Sequence, residues 1–94
     1  MVTVIVEGTV NDNKAFDALM RDILADTRAY DGCEGITVQR NQDDASKVLL
    51  IEHWESRSHY DKYLAWRRET GVLGKIGELL DGPPSIRYYV NVGV

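Results

Sequence analysis

The sequence is poor in the residues that hold metals, clusters and disulfide frameworks. It has one cysteine, Cys33, and two histidines, His53 and His59. A single cysteine forms no intramolecular disulfide and cannot make a cysteine-based zinc or iron–sulfur site within one chain. The two histidines have no third ligand at a recognisable spacing, so we predict no metal site. Cys33 also lacks an adjacent histidine or other paired base, which argues against nucleophilic catalysis by its thiol.

Long apolar runs and clustered positive charge are missing too. No apolar run reaches the roughly 18 residues of a membrane span, and residues 1–7 lack the basic start and small-residue cleavage site of a signal peptide. The net charge is −4, and the eleven basic residues are scattered apart from Arg67 and Arg68. Nucleic-acid binding requires a clustered basic face. We therefore expect a cytoplasmic protein that binds neither nucleic acid nor membrane.

What the sequence does contain is typical of one small folded domain, spanning residues 1–94. Its apolar fraction of 44% is too high for a disordered chain. A chain of this length buries roughly 60–65% of the surface that its unfolded form exposes, which is near the lower limit for a self-sufficient core. Further burial through oligomerisation is therefore expected.

Apolar and turn-forming residues predict four strands. The predicted strands lie at residues 3–9, 36–41, 48–51 and 85–92. The third has four branched apolar residues in succession, which is typical of a strand covered on both faces. It runs directly into the polar and aromatic stretch Glu52-His53-Trp54-Glu55-Ser56.

Helical periodicity predicts two clear helices and a weaker third one. The first has N-cap candidates at residues 11–13 and ends near Tyr30, with Gly32 as a left-handed cap; its apolar stripe comprises Phe16, Leu19, Met20, Ile23, Leu24 and Thr27. The second begins at a capping box formed by Ser58 and Asp61 and runs to about Thr70. The third contains Gly74 and Gly77, each costing roughly 1 kcal/mol relative to alanine, so we expect it to be short or mobile.

The resulting order β-α-β-β-α-(α)-β predicts an α+β fold of the split-βαβ, ferredoxin-like kind. Its four-stranded antiparallel sheet would carry the helices on one face. The first and third strands are apolar at both parities, so a monomer would expose an apolar sheet face to water. A two-fold homodimer that packs sheet against sheet would cover that face.

The buried face of the second helix is predicted to be aromatic and hydrogen-bonding. At about 100° per residue, His59, Tyr63, Trp66 and Thr70 share one narrow face, which Tyr60 and Arg67 flank. Flat aromatic walls with few polar groups are typical of pockets for planar organic ligands. The alternative is a purely structural role, with Trp66 and Tyr60 in the core and the hydroxyl of Tyr63 and the imidazole of His59 bonded to backbone.

These patterns resemble the antibiotic biosynthesis monooxygenase family of dimeric α+β barrel proteins. The resemblance rests on Thr27-Arg28-x-x-x-Gly32-Cys33, Glu52-x-Trp54-Glu55-Ser56 and the pair Tyr63-Leu64, and it covers nearly the whole chain. It implies a homodimer with a pocket between the helices and the sheet of each subunit. Some members oxygenate anthrones, hydroquinones or other aromatic polyketides without metal or flavin, using molecular oxygen as co-substrate. Others degrade haem or isomerise small molecules, and the fold alone does not choose among them.

The chain departs from this family pattern at two positions. Tyr63 stands where many members have histidine, and Leu73 stands where haem-degrading relatives place a ligating histidine. No histidine follows His59. The resemblance therefore implies an enzyme that binds no haem or other cofactor, and two alternatives stay open: a non-catalytic ligand-binding or accessory dimer, and a related isomerase.

Within this framework the candidate catalytic residues are His59, Tyr63, Trp66 and Arg67. Histidine side chains can take up a proton near neutral pH, so His59 and His53 are candidate bases. Arg67 could stabilise a developing oxyanion or merely pair with an acidic residue. The candidate pocket residues are His53, Trp54, Tyr60, Tyr88 and Tyr89. Because Tyr88 and Tyr89 have opposite parity, only one of them should lie under the helices.

Overall fold

The structure is a computed structural model that describes residues 1–94. The order of its helices and strands is the predicted one. The strands are β1 (Val2–Thr9), β2 (Cys33–Arg40), β3 (Lys47–Trp54) and β4 (Ser85–Tyr89), and the helices are α1 (Asn13–Ala29), α2 (Arg57–Glu69) and α3 (Val72–Glu78). The strands form one antiparallel sheet in the order β2-β3-β1-β4. This confirms the α+β, ferredoxin-like fold.

The register of the two central strands decides which side chains face the helices. Val4 pairs with Glu52 and Val6 pairs with Leu50, and Val4 and Glu52 are both buried under the helices. Ile5 pairs with Ile51 on the opposite, open face of the sheet, where both side chains are only partly buried. The strands are therefore apolar at both parities, as the sequence predicted.

The core has two parts, one under α1 and one under α2. The first comprises Val10, Phe16, Met20, Ile23, Leu24, Ile36 and Val48. The second comprises Val2, Val4, Trp54, Tyr60 and Tyr63 and is mostly aromatic. The predicted apolar stripe of α1 thus lies on the sheet, and Asp12 caps this helix by accepting a hydrogen bond from Ala15 N–H at 3.0 Å.

The predicted capping box of α2 was wrong. The helix begins at Arg57, and its cap is Ser56, whose hydroxyl oxygen accepts from His59 N–H at 3.2 Å. Ser58 and Asp61 lie on the exposed surface. Ser56 takes this role because it still has extended backbone where β3 ends, which places its side chain over the first helical amides.

Two strand boundaries also differ from the prediction. β2 begins at Cys33 rather than at residue 36, because a register shift between Cys33 and Gly35 lets the strand pair with the end of β3. β4 ends at Tyr89 rather than at residue 92. Tyr89 pairs with Thr3, and β1 begins one residue earlier, so this sheet offers residues 91–94 no partner strand.

Gly32 has the predicted left-handed backbone, although it lies beyond the helix cap. The cap residue of α1 is Tyr30, and Gly32 follows in a turn that Cys33 N–H closes on Tyr30 O at 3.0 Å. Its φ is +88°, and a Cβ at this position would lie 2.5 Å from the imidazole ring of His59. Glycine is therefore required both by the backbone conformation and by the close packing of His59.

Candidate active site

An apolar cavity of about 100 Å³ lies between the sheet and the three helices. Its floor comes from inner-face residues of the strands, including Val6 and Leu50, and helix α1 contributes Phe16, Met20, Ile23 and Leu24. Tyr60 and Tyr63 of α2 form an aromatic wall, and Leu73 and Ile76 of α3 form the remaining side. No residue of α3 is fully buried, so this is the most weakly packed wall.

One carboxyl group, that of Glu52, lies in this apolar lining. Its residue is only 3% exposed and lines the cavity from the inner face of β3. Its one hydrogen bond is from Trp54 Nε1–H to Oε1 at 3.1 Å. Desolvation by burial raises the pKa of Glu52 to about 7, and the bond from Trp54 lowers it only in part. This carboxyl can therefore exchange a proton near neutral pH.

Glu52 is a site residue that the sequence interpretation missed. In the sequence it stands out only as part of the motif Glu52-x-Trp54. The signal was present in the alternation of β3, since Glu52 shares its parity with Leu50 and Trp54 and must face the helices with them. A carboxylate at a core position of a strand indicates function more strongly than a histidine beside it.

The aromatic wall is a packed cluster around Trp54. The ring centroid of Trp54 lies 5.7 Å from that of Tyr60 and 4.9 Å from that of Tyr63. Tyr88 continues the cluster, with its ring 6.0 Å from Tyr60 and the guanidinium of Arg57 3.6 Å above it. Burial raises the pKa of Tyr60 strongly, so its phenol stays protonated.

Arg67 and Tyr63 belong to a buried hydrogen-bond network that joins α2 to α1. Arg67 is 3% exposed and donates from Nε to the Tyr63 hydroxyl at 3.1 Å, and from Nη2 to Ile23 O at 2.7 Å and to Thr27 Oγ1 at 2.9 Å. The hydroxyls of Tyr63 and Thr27 are 2.7 Å apart. The ring of Tyr63 lines the cavity, whereas Arg67 does not. In this network Arg67 positions Tyr63.

His59 and Trp66 lie at the edge of α2, outside the cavity lining. The Nδ1 atom of His59 is 2.6 Å from Ser56 Oγ, and its Nε2 atom is 3.5 Å from a Glu55 carboxylate oxygen. The ring of Trp66 stacks on Tyr30 at 5.1 Å. His59 therefore contacts the two residues that connect β3 to α2.

The predicted pocket residues His53, Tyr88 and Tyr89 do not all lie on the same face of the sheet. His53 lies on the open face of the sheet, where its Nδ1 atom is 3.2 Å from Thr3 Oγ1. Tyr89 lies on the same open face and is 50% exposed, so neither residue lines the cavity. Strand parity places Tyr88 on the helix side instead. Of the nine candidate site residues, the cavity wall thus contains Tyr60 and Tyr63, with Trp54 and Tyr88 packed behind them.

No three histidine, cysteine, aspartate or glutamate side chains come together in a geometry that could hold a metal ion. No helix is long and apolar enough to cross a membrane.

Similarity to known proteins identifies the family of this chain. The sequence profile described as antibiotic biosynthesis monooxygenase matches residues 1–68. The chain belongs to this family. The matched part runs from β1 through most of α2 and includes the buried Glu52, the aromatic cluster around Trp54 and the Arg67 network.

Solved structures share this fold over almost the whole chain. Rv0793 from Mycobacterium tuberculosis has a TM-score of 0.83 at 25% identity, covering 99% of this chain and 96% of that one. A conserved protein from Methanosarcina mazei has a TM-score of 0.83 at 19% identity, covering 94% and 89%. A variant of SnoaB from Streptomyces nogalater, described as a cofactor-independent oxygenase, has a TM-score of 0.85 at 16% identity, covering 99% and 94%. No curated protein matches the sequence.

Proposed function

We propose that this protein is a cofactor-independent monooxygenase acting on a small, electron-rich aromatic compound such as a hydroquinone. The observation that carries the proposal is the apolar cavity with Tyr60 and Tyr63 in its wall, in a chain of the monooxygenase family. Apolar and aromatic walls with few polar groups suit a planar organic ligand. The structural likeness to SnoaB, a cofactor-independent oxygenase, is consistent with this activity.

The chemistry of such substrates explains how the reaction could proceed with dioxygen alone. Deprotonation gives a resonance-stabilised anion that can pass an electron to dioxygen. In the full reaction a hydroquinone and dioxygen yield a hydroxyquinone and water, and the substrate itself supplies all four electrons. The protein then has to bind, orient and desolvate the substrate and move one proton.

The size of the cavity favours a substrate with one ring. A dry protein cavity of about 150 Å³ accepts benzene, and the present one encloses about 100 Å³. A small outward movement of α3, whose Leu73 and Ile76 form the least buried wall, would make room for a substituted ring. We therefore expect monocyclic hydroquinones to react faster than tricyclic anthrones.

We also propose that the active form is a homodimer that packs open sheet face on open sheet face. Ile5, Leu49 and Ile51 lie together in the centre of that face. Covering this surface with a second copy removes it from water.

The proposed activity is tested by anaerobic incubation with a panel of hydroquinones and anthrones, followed by admission of oxygen. We expect oxygen uptake that depends on the protein and persists after treatment with a chelator. The variant Leu73→Phe, which fills the cavity, should lose the activity. Leu79→Phe is the matched control, because Leu79 is similarly half-buried in the same segment but does not line the cavity.

Absence of oxygen uptake above background across the whole panel would contradict the proposed activity. If Leu73→Phe weakens binding of a hydroquinone and no oxygen is consumed, the protein is a ligand-binding protein of the same fold. Equal activity of Leu73→Phe and Leu79→Phe would place the reaction outside this cavity.

A further inference from the structure

The burial of Glu52 has no structural explanation in the surrounding core. Its neighbours across the sheet, Val4 on β1 and Ile36 on β2, are apolar. The ion pairs of the structure join Arg40 to Asp17, and His59 to Asp31 and Glu55, so none of them involves Glu52. Burying an unpaired carboxylate is costly, and an apolar residue at this position would avoid that cost.

The only partner of this carboxyl positions it without neutralising it. Trp54 lies two residues further along the same face of β3 and is fully buried in the aromatic cluster. Its indole N–H donates to Oε1, and no protein group donates to the Oε2 atom of this cavity-lining residue. A rigid, buried indole therefore holds the carboxyl in one orientation.

We propose that Glu52 is the base that removes the acidic proton from an uncharged substrate in the cavity. This proposal rests on the proposed function and names the catalytic residue of its first step. The O–H or acidic C–H bond of the substrate breaks, its proton goes to Oε2, and its electron pair stays on the substrate. One negative charge is present in the cavity before and after the step, so the transfer requires no additional cation.

The groups around Glu52 are consistent with this role on every side. Besides burial, the charge of Glu52 helps to raise the pKa of Cys33 on β2 and of Tyr60 on α2, and Tyr63 shares the cavity wall. Burial raises the pKa of both the Cys33 thiol and the Tyr60 phenol, so both stay uncharged near neutral pH. The lining contributed by β1, α1, α3 and β4 is apolar. A substrate that is already anionic would be repelled, which restricts the ligand to neutral acids such as phenols and activated methylene compounds.

The test separates proton transfer from the reaction with oxygen. Under anaerobic conditions in deuterated water, exchange of the acidic C–H of the one-ring ketone phenylacetone and of 2-indanone is followed by NMR. We expect the wild-type protein to accelerate exchange and Glu52→Gln to lose about 10²–10⁴-fold of the rate, as is usual when a general base is removed. Glu69→Gln, an exposed change on α2, is the matched control and should exchange like the wild type.

The pH profile supplies a readout that a purely structural role would not change. The pKa of Glu52 lies near 7, so the wild-type exchange rate should rise with pH up to about this value and then level off. Glu52→Gln should lack that rise. A wild-type rate that is flat between about pH 5 and pH 8 overturns the proposal.

The outcomes of the two experiments are distinguishable. Exchange that depends on Glu52 without oxygen uptake supports the base and contradicts the oxygenase. Exchange or oxygen uptake at the wild-type rate in Glu52→Gln overturns the base and leaves the oxygenase standing. Acceleration of exchange for neither probe by the wild-type protein also overturns the base.

Discussion

Replacing Glu52 with glutamine should stabilise the folded chain at neutral and alkaline pH. The folded-state pKa of about 7 lies above the ordinary value of 4.5. Between these two values the folded chain keeps a proton that the unfolded chain has lost, so wild-type stability falls as pH rises through this window. Each pKa unit corresponds to about 1.4 kcal/mol, so the charged carboxylate costs about 3 kcal/mol above pH 7. Glutamine avoids this cost and can still accept the hydrogen bond from Trp54.

The assay is chemical denaturation of the wild type and of Glu52→Gln at several pH values and one protein concentration, because a dimer would make stability depend on concentration. The two proteins should differ little near pH 4. Above pH 7 the variant should be more stable by about 3 kcal/mol, which for a chain of this size corresponds to a rise in Tm of more than about 10 °C. The free energy of unfolding of Glu52→Gln minus that of the wild type should grow between pH 5 and pH 8. A difference that is the same at both pH values would refute the assignment of a raised pKa to Glu52.

Two further changes test the packing described above. Tyr63→Phe leaves the Nε–H of Arg67 without its acceptor and should cost about 1–3 kcal/mol by thermal unfolding, whereas an unchanged Tm would mean that the buried network is dispensable. Ile51→Lys places a charge in the centre of the open sheet face and should give a monomer by sedimentation; a wild-type protein that is itself monomeric at micromolar concentration would contradict the dimer.

Much of the fold could be predicted because local patterns and long-range packing agree. The apolar stripe of α1 follows one helical face, and β1 and β3 are apolar at both parities, so few arrangements bury them. The predicted end of β4 was wrong because strand length depends on the partner. Tyr89 pairs with Thr3 near the start of β1, and no pattern within residues 85–92 contains that information.

The site was harder to predict because it depends on which of two neighbouring stripes of α2 faces the sheet. The stripe of His59, Tyr63 and Trp66 is more aromatic, but the buried residues are Tyr60, Tyr63 and Arg67. Hydropathy places an arginine outside the core. Its burial becomes possible only through hydroxyl and carbonyl acceptors on α1, which are 40 and 44 residues away along the chain.

Glu52 shows the opposite situation, because its position could have been predicted from strand alternation alone. Once Leu50 and Trp54 are assigned to the core face, Glu52 must face the same way, because it lies two residues from each of them along the strand. Its raised pKa could not be predicted in the same way, because it depends on the absence of a cation from every element packed around it.

The most direct test of the central claim is the fate of dioxygen labelled with oxygen-18 when chelator-treated protein reacts with a monocyclic hydroquinone. We expect one dioxygen to be consumed per product, with one labelled oxygen atom in the hydroxyquinone and the other in water. Release of hydrogen peroxide with an unlabelled quinone, or no uptake above the background rate, would contradict it.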